Sequence, residues 1–482
     1  MAQDKIMHFA RGARPLLAAA LIAALAACFP DSDVPSDAGS TALSSGGSAS
    51  GATVTVTIAT DAGAPISTTA FGQNYWDWVD WSGDGVTGLS GTQPLVGQLG
   101  LGVIRAGGDN NDWNSPSPFD MSQIDAFVAY CRAVGAEPIL QVPLVADVDG
   151  GPATAQTAAA MMTYANVTQG YGIRYWEIGN EPDIYPTDFD ASFPIQTAAD
   201  YCNAFDNYVT AMKAANAAGP DGGTPIMFLG PELAYKYVAG DDWLTPFLDG
   251  CKDDVDIVTI HRYPFSGAQT SLTGALDDVT MFRSTVSAVS AIVQGHARPG
   301  TPLGITEANL SYSYALSAYN SASLQAAPGT YPAALWTADV MGAALESGLW
   351  TLAFWNIGEV SSSTSVLGFI VADSPVPAYY AEQLVTSSFR GSVLAPAGVP
   401  TGFSVYAGHD PSQASTAVLV LNKTTASSSL ALAVGATPPQ TFEYPPLSIT
   451  LVEVPDSPGA QTHVIQYTGD QAEAGAAPQM IQ

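Results

Sequence analysis

Between about residue 70 and residue 390, short apolar runs alternate with longer stretches in which apolar residues recur every three or four positions. The short runs indicate buried β-strands, and the longer period indicates amphipathic helices. Eight strands are predicted, at residues 71–74, 102–105, 138–142, 175–179, 226–229, 256–260, 302–306 and 350–355. Helical patterns occupy most of the gaps, for example at 121–134, 195–215 and 331–349. Eight such units in succession predict an α/β fold, a (β/α)8 or TIM barrel, over residues 69–389.

The pattern changes after residue 390, where short runs alternate apolar with small or polar residues. Turn-forming residues separate these runs, which is typical of an antiparallel β-sandwich, here predicted for residues 390–455. Residues 53–68 begin with a similar alternation, so we expect them to add a strand to that sandwich. Residues 456–482 are rich in Gln, Ala, Gly and Asp and are expected to form a tail.

The beginning of the chain has the pattern of an export signal. Three basic residues precede an apolar run at 16–27, which is too short to cross a bilayer and ends in Leu-Ala-Ala-Cys, with the cysteine at position 28. These four residues resemble the site at which bacterial lipoproteins are cleaved and acylated. We therefore predict a lipoprotein-type signal peptide at 1–28, a lipid on Cys28 and a flexible Ser/Gly-rich tether at 29–52. The alternative is an ordinary cleavage site that releases the protein.

Charge narrows the range of partners. The chain has 14 Lys and Arg against 44 Asp and Glu, for a net charge of −30. Such a surface repels phosphate backbones and anionic lipid, so nucleic acid is excluded and only the lipid anchor is expected to contact the membrane. The charge also disfavours polyanionic substrates.

The four cysteines and five histidines show no zinc-site spacing, so no metal and no cofactor are expected. Cys131 and Cys202 lie on apolar helical stripes, which predicts buried side chains. Cys251 lies in a polar stretch, and whether it pairs with Cys202 stays open.

Chemically useful side chains lie at the ends of the predicted strands, where TIM barrels carry their active sites. Arg105, Glu181, His261, Glu307 and Trp355 each lie at or just past the end of a different strand. An Asn-Glu-Pro turn raises Glu181 to the tip of the fourth strand, and Glu307 ends the seventh. Two carboxyl groups at one end of a barrel are the equipment that cleaves a glycosidic bond.

The surroundings suggest different roles for the two acids. Glu181 suits the proton donor, because burial and a neighbouring carboxylate would keep it protonated. Glu307 suits the nucleophile, because Arg105 and Tyr263 are placed to stabilise its anion. Asn180, beside the acid, is expected to reach a sugar hydroxyl.

Further side chains are predicted near this end of the barrel, and some of them have an alternative interpretation. His261 and Tyr263 alternate along one strand and are expected to face the pocket. Trp355 is either a platform for a sugar ring or part of the core, and the same choice holds for the cluster Tyr75, Trp76, Trp78 and Trp81. Glu177, two positions before the turn, is expected to form a buried ion pair beneath the site.

These motifs resemble the clan of retaining (β/α)8 glycoside hydrolases that carry Asn-Glu-Pro on the fourth strand and Glu on the seventh. The stretches 104–109, 176–185 and 306–309 are most similar to family 79, the β-glucuronidase and heparanase group, with families 39, 44 and 51 as close alternatives. The resemblance implies that Glu181 is the acid/base and Glu307 the nucleophile, supported by Asn180 and Tyr263.

The sequence thus predicts an exported retaining β-glycoside hydrolase that cleaves an oligo- or polysaccharide by double displacement. Two alternatives stay open: a surface lipoprotein that binds carbohydrate on an inactive barrel, and a transglycosylase. The scarcity of basic residues disfavours a uronic sugar, whose carboxylate needs a cationic pocket. Arg105 is expected to serve Glu307, which leaves Lys236 and Arg262 as candidates for that task.

Overall fold

The computed structural model describes residues 53–61, 63–75, 88–113, 121–147, 151–238, 242–266, 270–312, 325–359, 367–457 and 459–482. The predicted signal peptide, the acylation at Cys28 and the tether lie outside these residues, as do Trp76, Trp78 and Trp81. Within the described ranges, every helix is too short or too polar to cross a bilayer.

Eight parallel strands close into a barrel, and their order around it is their order along the chain. The eighth strand pairs with both the seventh and the first, which closes the ring. The predicted TIM barrel is therefore confirmed. From first to eighth, the barrel strands are Phe71–Tyr75, Val103–Ala106, Glu137–Val142, Tyr175–Ile178, Met227–Leu233, Ile257–Arg262, Leu303–Ala308 and Leu352–Phe354.

Helices follow the strands and cover the barrel. They are Gln93–Leu99, Asp109–Asp112, Met121–Val134, Ala155–Met162, Tyr185–Asp188, Ala198–Asn216, Leu244–Cys251, Leu272–His296, Tyr331–Glu346 and Pro377–Ser388. In Met121–Val134 the apolar residues that recur every three or four positions are the buried ones, as the period requires. Ala198–Asn216 begins three residues later than predicted, because the Thr197 side chain accepts a hydrogen bond from the Asp200 amide and caps the helix there.

A disulfide joins Cys202, on the helix Ala198–Asn216, to Cys251, at the end of the helix Leu244–Cys251. This answers the question of pairing that the sequence left open. Cys131 is a free, buried thiol, as its place on an apolar stripe predicted.

The second part of the fold consists of two mainly antiparallel sheets. One contains Pro396–Ala397, Val54–Ile58, Ser428–Val434 and Gln440–Tyr444. The other contains Ala64–Pro65, Ser392–Leu394, Phe403–Asp410, Ser415–Asn422, Ser448–Pro455, His463–Tyr467 and Gln479–Met480. The strand Val54–Ile58 pairs in parallel with Ser428–Val434, so the start of the described chain lies in this domain.

The larger sheet is buried on both faces. Val418 and Val420 pack in the core between the two sheets, whereas Leu419 and Leu421 pack in the barrel's core. Successive side chains of a strand point to opposite faces, so a run that is apolar at every position has apolar contacts on both sides.

The expectation of a tail at 456–482 is wrong. His463–Tyr467 pairs along its whole length with Ser448–Pro455, and a short helix, Gly469–Glu473, follows it. The buried residues of this strand, Val464 and Tyr467, are three positions apart, so the alternation that identifies a strand was missing.

Candidate active site

Glu181 stands at the turn that follows the fourth barrel strand. Gly179 and Glu181 have φ angles of 74° and 49°, so the chain reverses sharply through left-handed conformations. Gly179 is required there, because a Cβ atom would lie 2.8 Å from the Tyr185 hydroxyl oxygen. The Asn180 amide donates to Asp112 Oδ2 at 3.2 Å, and the Glu181 amide donates to the Glu232 carbonyl oxygen at 3.1 Å. The acid therefore has a fixed backbone.

Glu307 stands near the end of the seventh strand, with 6% of its surface exposed. The register with the sixth strand shifts between Ile305 and Glu307, a local irregularity of the kind that re-aims a side chain. Arg105 Nη1 donates to Glu307 Oε1 at 2.7 Å, and the Tyr263 hydroxyl donates to Oε2 at 2.8 Å. Both donors stabilise the anionic form of this carboxylate.

His261 lies between the two acids. Its Nδ1 is 2.8 Å from Glu181 Oε1 and 3.7 Å from Glu307 Oε2. One oxygen from each glutamate and one ring nitrogen of His261 all lie within 4.8 Å of one another. The two acids predicted from strands four and seven therefore converge at the carboxyl end of the barrel.

The protonation states of the acid and the histidine follow from this crowding. Burial raises the pKa of Glu181 to about 8. The hydrogen bond from His261 opposes this rise, and the negative charge of Glu307 adds to it. Burial alone would lower the pKa of His261, but Glu307 and the hydrogen bonds with Glu181 and Glu232 raise it well above its ordinary value. At neutral pH both shifts favour a protonated acid beside an imidazolium.

Arg105 organises the floor of the site. Its Nε donates to Glu177 Oε2 at 2.5 Å, and both side chains are fully buried. Its other donors bond Asn74 Oδ1 at 3.0 Å and Asn180 Oδ1 at 2.9 Å. The structure thus places Glu177 in the buried pair that the sequence predicted beneath the site.

The side-chain amide of Asn180 is held at both its oxygen and its nitrogen. Its oxygen accepts from Arg105, and its Nδ2 donates to Asp109 Oδ1 at 2.9 Å, which leaves the side chain 2% exposed. Burial and the charge of Glu307 raise the pKa of Asp109. An Asn180 Nδ2 hydrogen remains to meet a sugar hydroxyl, and that contact stays a prediction.

Trp355 follows the eighth strand and is 7% exposed. A Cβ atom at Gly108 would lie 2.8 Å from the end of its indole ring, so the backbone after the second strand packs directly on the ring. The Trp355 amide donates to the Ala308 carbonyl oxygen at 2.9 Å, which fixes it beside the seventh strand. The indole is mostly core, and its role as a sugar platform stays a prediction.

Three polar residues of this centre were missed from the sequence: Asn74 and Asp109, which bond Arg105 and Asn180, and Glu232. Glu232, on the fifth strand, is fully buried, and its Oε2 lies 3.0 Å from His261 Nε2. The prediction ended that strand at residue 229, before Gly-Pro-Glu. A lone acid inside the apolar run from Leu229 to Leu233 was the available signal.

Two candidates for a cationic subsite are already engaged by other groups. Arg262 forms two hydrogen bonds with the Asp278 carboxylate, at 2.8 and 2.6 Å, and is 5% exposed. Lys236 Nζ lies 5.7 Å from the ring centre of Tyr235 and 5.8 Å from that of Trp243.

Glu181, His261 and Glu307 form the one group of possible metal ligands that lies close together in the described part of the chain. The guanidinium of Arg105 already bonds Glu307 at 2.7 Å, and a cation there would meet its positive charge. The donor set suits an acid and a nucleophile better than a metal ion.

Comparisons with known proteins agree with the fold. No family model matches the sequence, and no curated protein matches it. Solved structures do match in shape. A bifunctional glucanase-xylanase from a metagenome library has 16% identity and a TM-score of 0.63, over 84% of this chain and 99% of that one.

Two further structures extend the likeness. A family 51 α-L-arabinofuranosidase from Bifidobacterium longum has 15% identity and a TM-score of 0.62, over 89% of this chain and 95% of that one. A family 44 xyloglucanase from Paenibacillus polymyxa has 13% identity and a TM-score of 0.60, over 84% and 100%. At these identities the likeness shows a shared fold, and the choice among families stays a prediction.

Proposed function

We propose that this protein is an exported retaining glycoside hydrolase, with Glu181 as acid/base and Glu307 as nucleophile. The observation that carries the proposal is the convergence of Glu181, His261 and Glu307 to within 4.8 Å. Retaining enzymes hold their carboxyl groups about 5–5.5 Å apart, whereas inverting enzymes leave about 6.5–9.5 Å for a water molecule. Oxygens of Glu181 and Glu307 within 4.8 Å of each other support the first class.

In the first step, a Glu307 oxygen attacks the anomeric carbon and the bond to the leaving oxygen breaks. The proton on Glu181 moves to that oxygen, so the leaving group departs as an alcohol and the sugar remains as an ester on Glu307. The pKa of Glu181, raised to about 8, keeps this proton in place at neutral pH. Hydrogen bonds from Arg105 and Tyr263 hold the Glu307 carboxylate in position before the attack.

In the second step, water enters from the side that the leaving group vacated. Glu181, now a carboxylate, takes a proton from this water while the oxygen attacks the anomeric carbon and the bond to Glu307 breaks. Two inversions give a product with the original configuration. Asn180, fixed by Arg105 and Asp109, is placed to bond the hydroxyl beside the anomeric carbon.

We further propose a neutral sugar as the substrate. Of the 14 Lys and Arg residues in the chain, three lie near the carboxyl end of a barrel strand or shortly after it: Arg105, Lys236 and Arg262. Arg105 and Arg262 are bonded to carboxylates. The seven stretches between residues 76 and 366 that lie outside the described residues contain no Lys, Arg or His. A uronate carboxylate would therefore find Lys236 as its main cationic partner.

A panel of chromogenic glycosides tests the reaction and the substrate together. It would include β-glucosides, β-xylosides, β-glucuronides and, because neighbours in shape act on arabinofuranosides, an α-L-arabinofuranoside. We expect turnover of a neutral glycoside and at least tenfold lower kcat/KM on the glucuronide. A preference for the glucuronide that Lys236→Ala removes would refute the neutral-sugar proposal.

The roles of the two acids separate under azide. Glu307→Ala should abolish turnover, and azide should then restore a glycosyl azide of inverted configuration, because azide attacks where Glu307 attacked. Glu181→Ala with azide should give a product of retained configuration. The reverse pattern would exchange the two roles, and binding without turnover in the unmodified protein would favour an inactive barrel. Formation of new glycosides with an added acceptor sugar would identify a transglycosylase.

Export through a lipid anchor on Cys28 completes the proposal. It is supported by the apolar run at 16–27, which ends in Leu-Ala-Ala-Cys and precedes a Ser/Gly-rich stretch. We expect the protein in the envelope membrane fraction of a bacterial host, and Cys28→Ala to remove it from that fraction. An unchanged fraction in the variant would count against acylation.

A further inference from the structure

Glu232 is a fully buried acid with no part in the two steps above. It lies on the fifth barrel strand, where the register with the sixth strand shifts between Pro231 and Leu233. Its own φ is 58°, a left-handed conformation that glutamate rarely adopts. The irregularity turns the side chain toward the barrel interior, beneath the candidate site.

The carboxylate of Glu232 is fully supplied with donors. The Thr306 hydroxyl donates to Oε2 at 2.6 Å, and the Thr259 hydroxyl donates to Oε1. Arg105 Nη2 lies 3.6 Å from Oε2. Burial opposes ionisation, but the hydrogen bond with His261 and the charges of Arg105 and His261 outweigh it and lower the pKa of Glu232. Glu232 is therefore an anion, and the ring nitrogen facing it must carry a hydrogen.

The other ring nitrogen of His261 faces Glu181 Oε1 at 2.8 Å. With both nitrogens protonated, His261 donates to Glu232 through Nε2 and to Glu181 through Nδ1. The Nδ1–H bond occupies one Glu181 oxygen, so the transferable proton belongs on the other. After Glu181 has given its proton away, the same bond stabilises its carboxylate.

We propose that Glu232 is a positioning residue: its charge keeps His261 doubly protonated, so that His261 directs the transferable proton of Glu181 to one oxygen. The inference rests on the proposed role of Glu181 as proton donor. The Glu232 backbone carbonyl also accepts a hydrogen bond from the Glu181 backbone amide at 3.1 Å. Glu232 therefore fixes Glu181 through its main chain and, by way of His261, through its side chain.

Other titratable or charged groups around His261 come from three different barrel strands or the segments that follow them. Glu307 Oε2 lies 3.7 Å from Nδ1, and the Arg105 guanidinium and the carboxyl groups of Glu177 and Asp109, whose pKa values burial raises, belong to the same cluster. Arg105 is held by Glu177 and Glu307 independently of Glu232. Removing the charge of Glu232 alone therefore leaves these groups in place.

The sign of the effect on pH dependence is fixed by charge. The active form carries a proton on Glu181 and two on the His261 ring, and activity is lost when the first of these leaves. Removing a neighbouring negative charge makes that first loss easier, whichever site loses the proton. The alkaline limb of kcat/KM must therefore move to lower pH when Glu232 becomes neutral.

The experiment compares Glu232→Gln with Glu382→Gln, another buried, isosteric replacement, on a helix outside the barrel strands. We expect the midpoint of the alkaline limb of kcat/KM to move to lower pH by at least one unit in Glu232→Gln and to stay unchanged in Glu382→Gln. Lower activity of Glu232→Gln at every pH, with an unmoved limb, would show a structural role and overturn the proposal.

A second measurement needs no variant and no turnover. The chain has five His, so the imidazole nitrogens of the labelled protein can be resolved by ¹⁵N–¹H correlation NMR. We expect His261 to carry protons on both ring nitrogens at pH 7. A neutral His261 at that pH would refute the inference even if Glu181 proves to be the acid. If the glycoside panel shows no turnover, a doubly protonated His261 would still support the Glu232 contact, while the proposed reaction would fail.

Discussion

A buried glutamate away from the site gives a sharp test of the electrostatics. Glu382, on the helix Pro377–Ser388, is fully buried, and its Oε2 accepts one hydrogen bond, from Gln73 Nε2 at 2.8 Å. Glu382 Oε1 and Gln73 Oε1 are buried without a hydrogen-bond partner. A proton on Glu382 Oε1 would make that atom a donor, and Gln73 Oε1 is a buried acceptor on the side chain that already bonds Glu382. Burial raises the pKa of Glu382 from its ordinary value of 4.5 to about 8.

The consequence for stability follows from linkage. Between pH 4.5 and pH 8 the unfolded chain releases this proton while the folded protein retains it, so stability falls as pH rises through that window. Each pKa unit corresponds to about 1.4 kcal/mol. The loss is on the order of 3 kcal/mol at pH 7 and about 5 kcal/mol above pH 8.

The replacement Glu382→Gln removes the titration and keeps one acceptor and one donor group, because an amide nitrogen replaces the protonated oxygen. We expect the free energy of unfolding in urea to rise by about 3 kcal/mol at pH 7 and to change little at pH 4.5. Glu473→Gln, at an exposed glutamate, is the matched control and should be neutral at both values. An equal effect at both pH values, or destabilisation at pH 7, would show that Glu382 is not protonated in the folded protein at pH 7.

Three further predictions concern the site and its support. Activity of the unmodified enzyme should fall as pH rises through about 8, because Glu181 must be protonated; an alkaline limb below pH 6 would contradict that assignment. Tyr263→Phe should lower kcat by about tenfold with a small change in KM, since it removes one hydrogen bond to Glu307 worth about 1.4 kcal/mol; an unchanged kcat would exclude that role. Replacing both Cys202 and Cys251 with Ala should lower the free energy of unfolding by about 4 kcal/mol, which is the chain-entropy value for a separation of 49 residues. An unchanged urea midpoint would show that the disulfide is not formed.

Much of the fold was predictable because its signals are local. Most barrel strands are short apolar runs next to a helical period, and the turn before Glu181 contains Gly179, a residue that favours the left-handed conformation it adopts. Strand ends in a parallel barrel lie on one face, so residues far apart in sequence could be assigned to one site. Arg105, His261 and Glu307, assigned to one site for this reason, do lie together.

Features that depend on tertiary approach were not predictable. The pairing of Cys202 with Cys251 requires two helices to meet, and no spacing rule encodes that meeting. Glu232 reaches His261 because the fifth strand continues past Gly-Pro with an irregular register, whereas the sequence pattern predicts that the strand ends before those two residues. The strand His463–Tyr467 is stabilised by pairing with its neighbour, and its own sequence alternates weakly.

The most direct test of the proposal is to trap the covalent intermediate. A 2-deoxy-2-fluoro glycoside with a good leaving group, chosen from the sugar that the panel identifies, slows the second step more than the first. Peptide mass spectrometry of the inactivated enzyme should then find one sugar attached to Glu307. A sugar on Glu181, or an enzyme that hydrolyses its substrate with inversion and forms no adduct, would contradict the account.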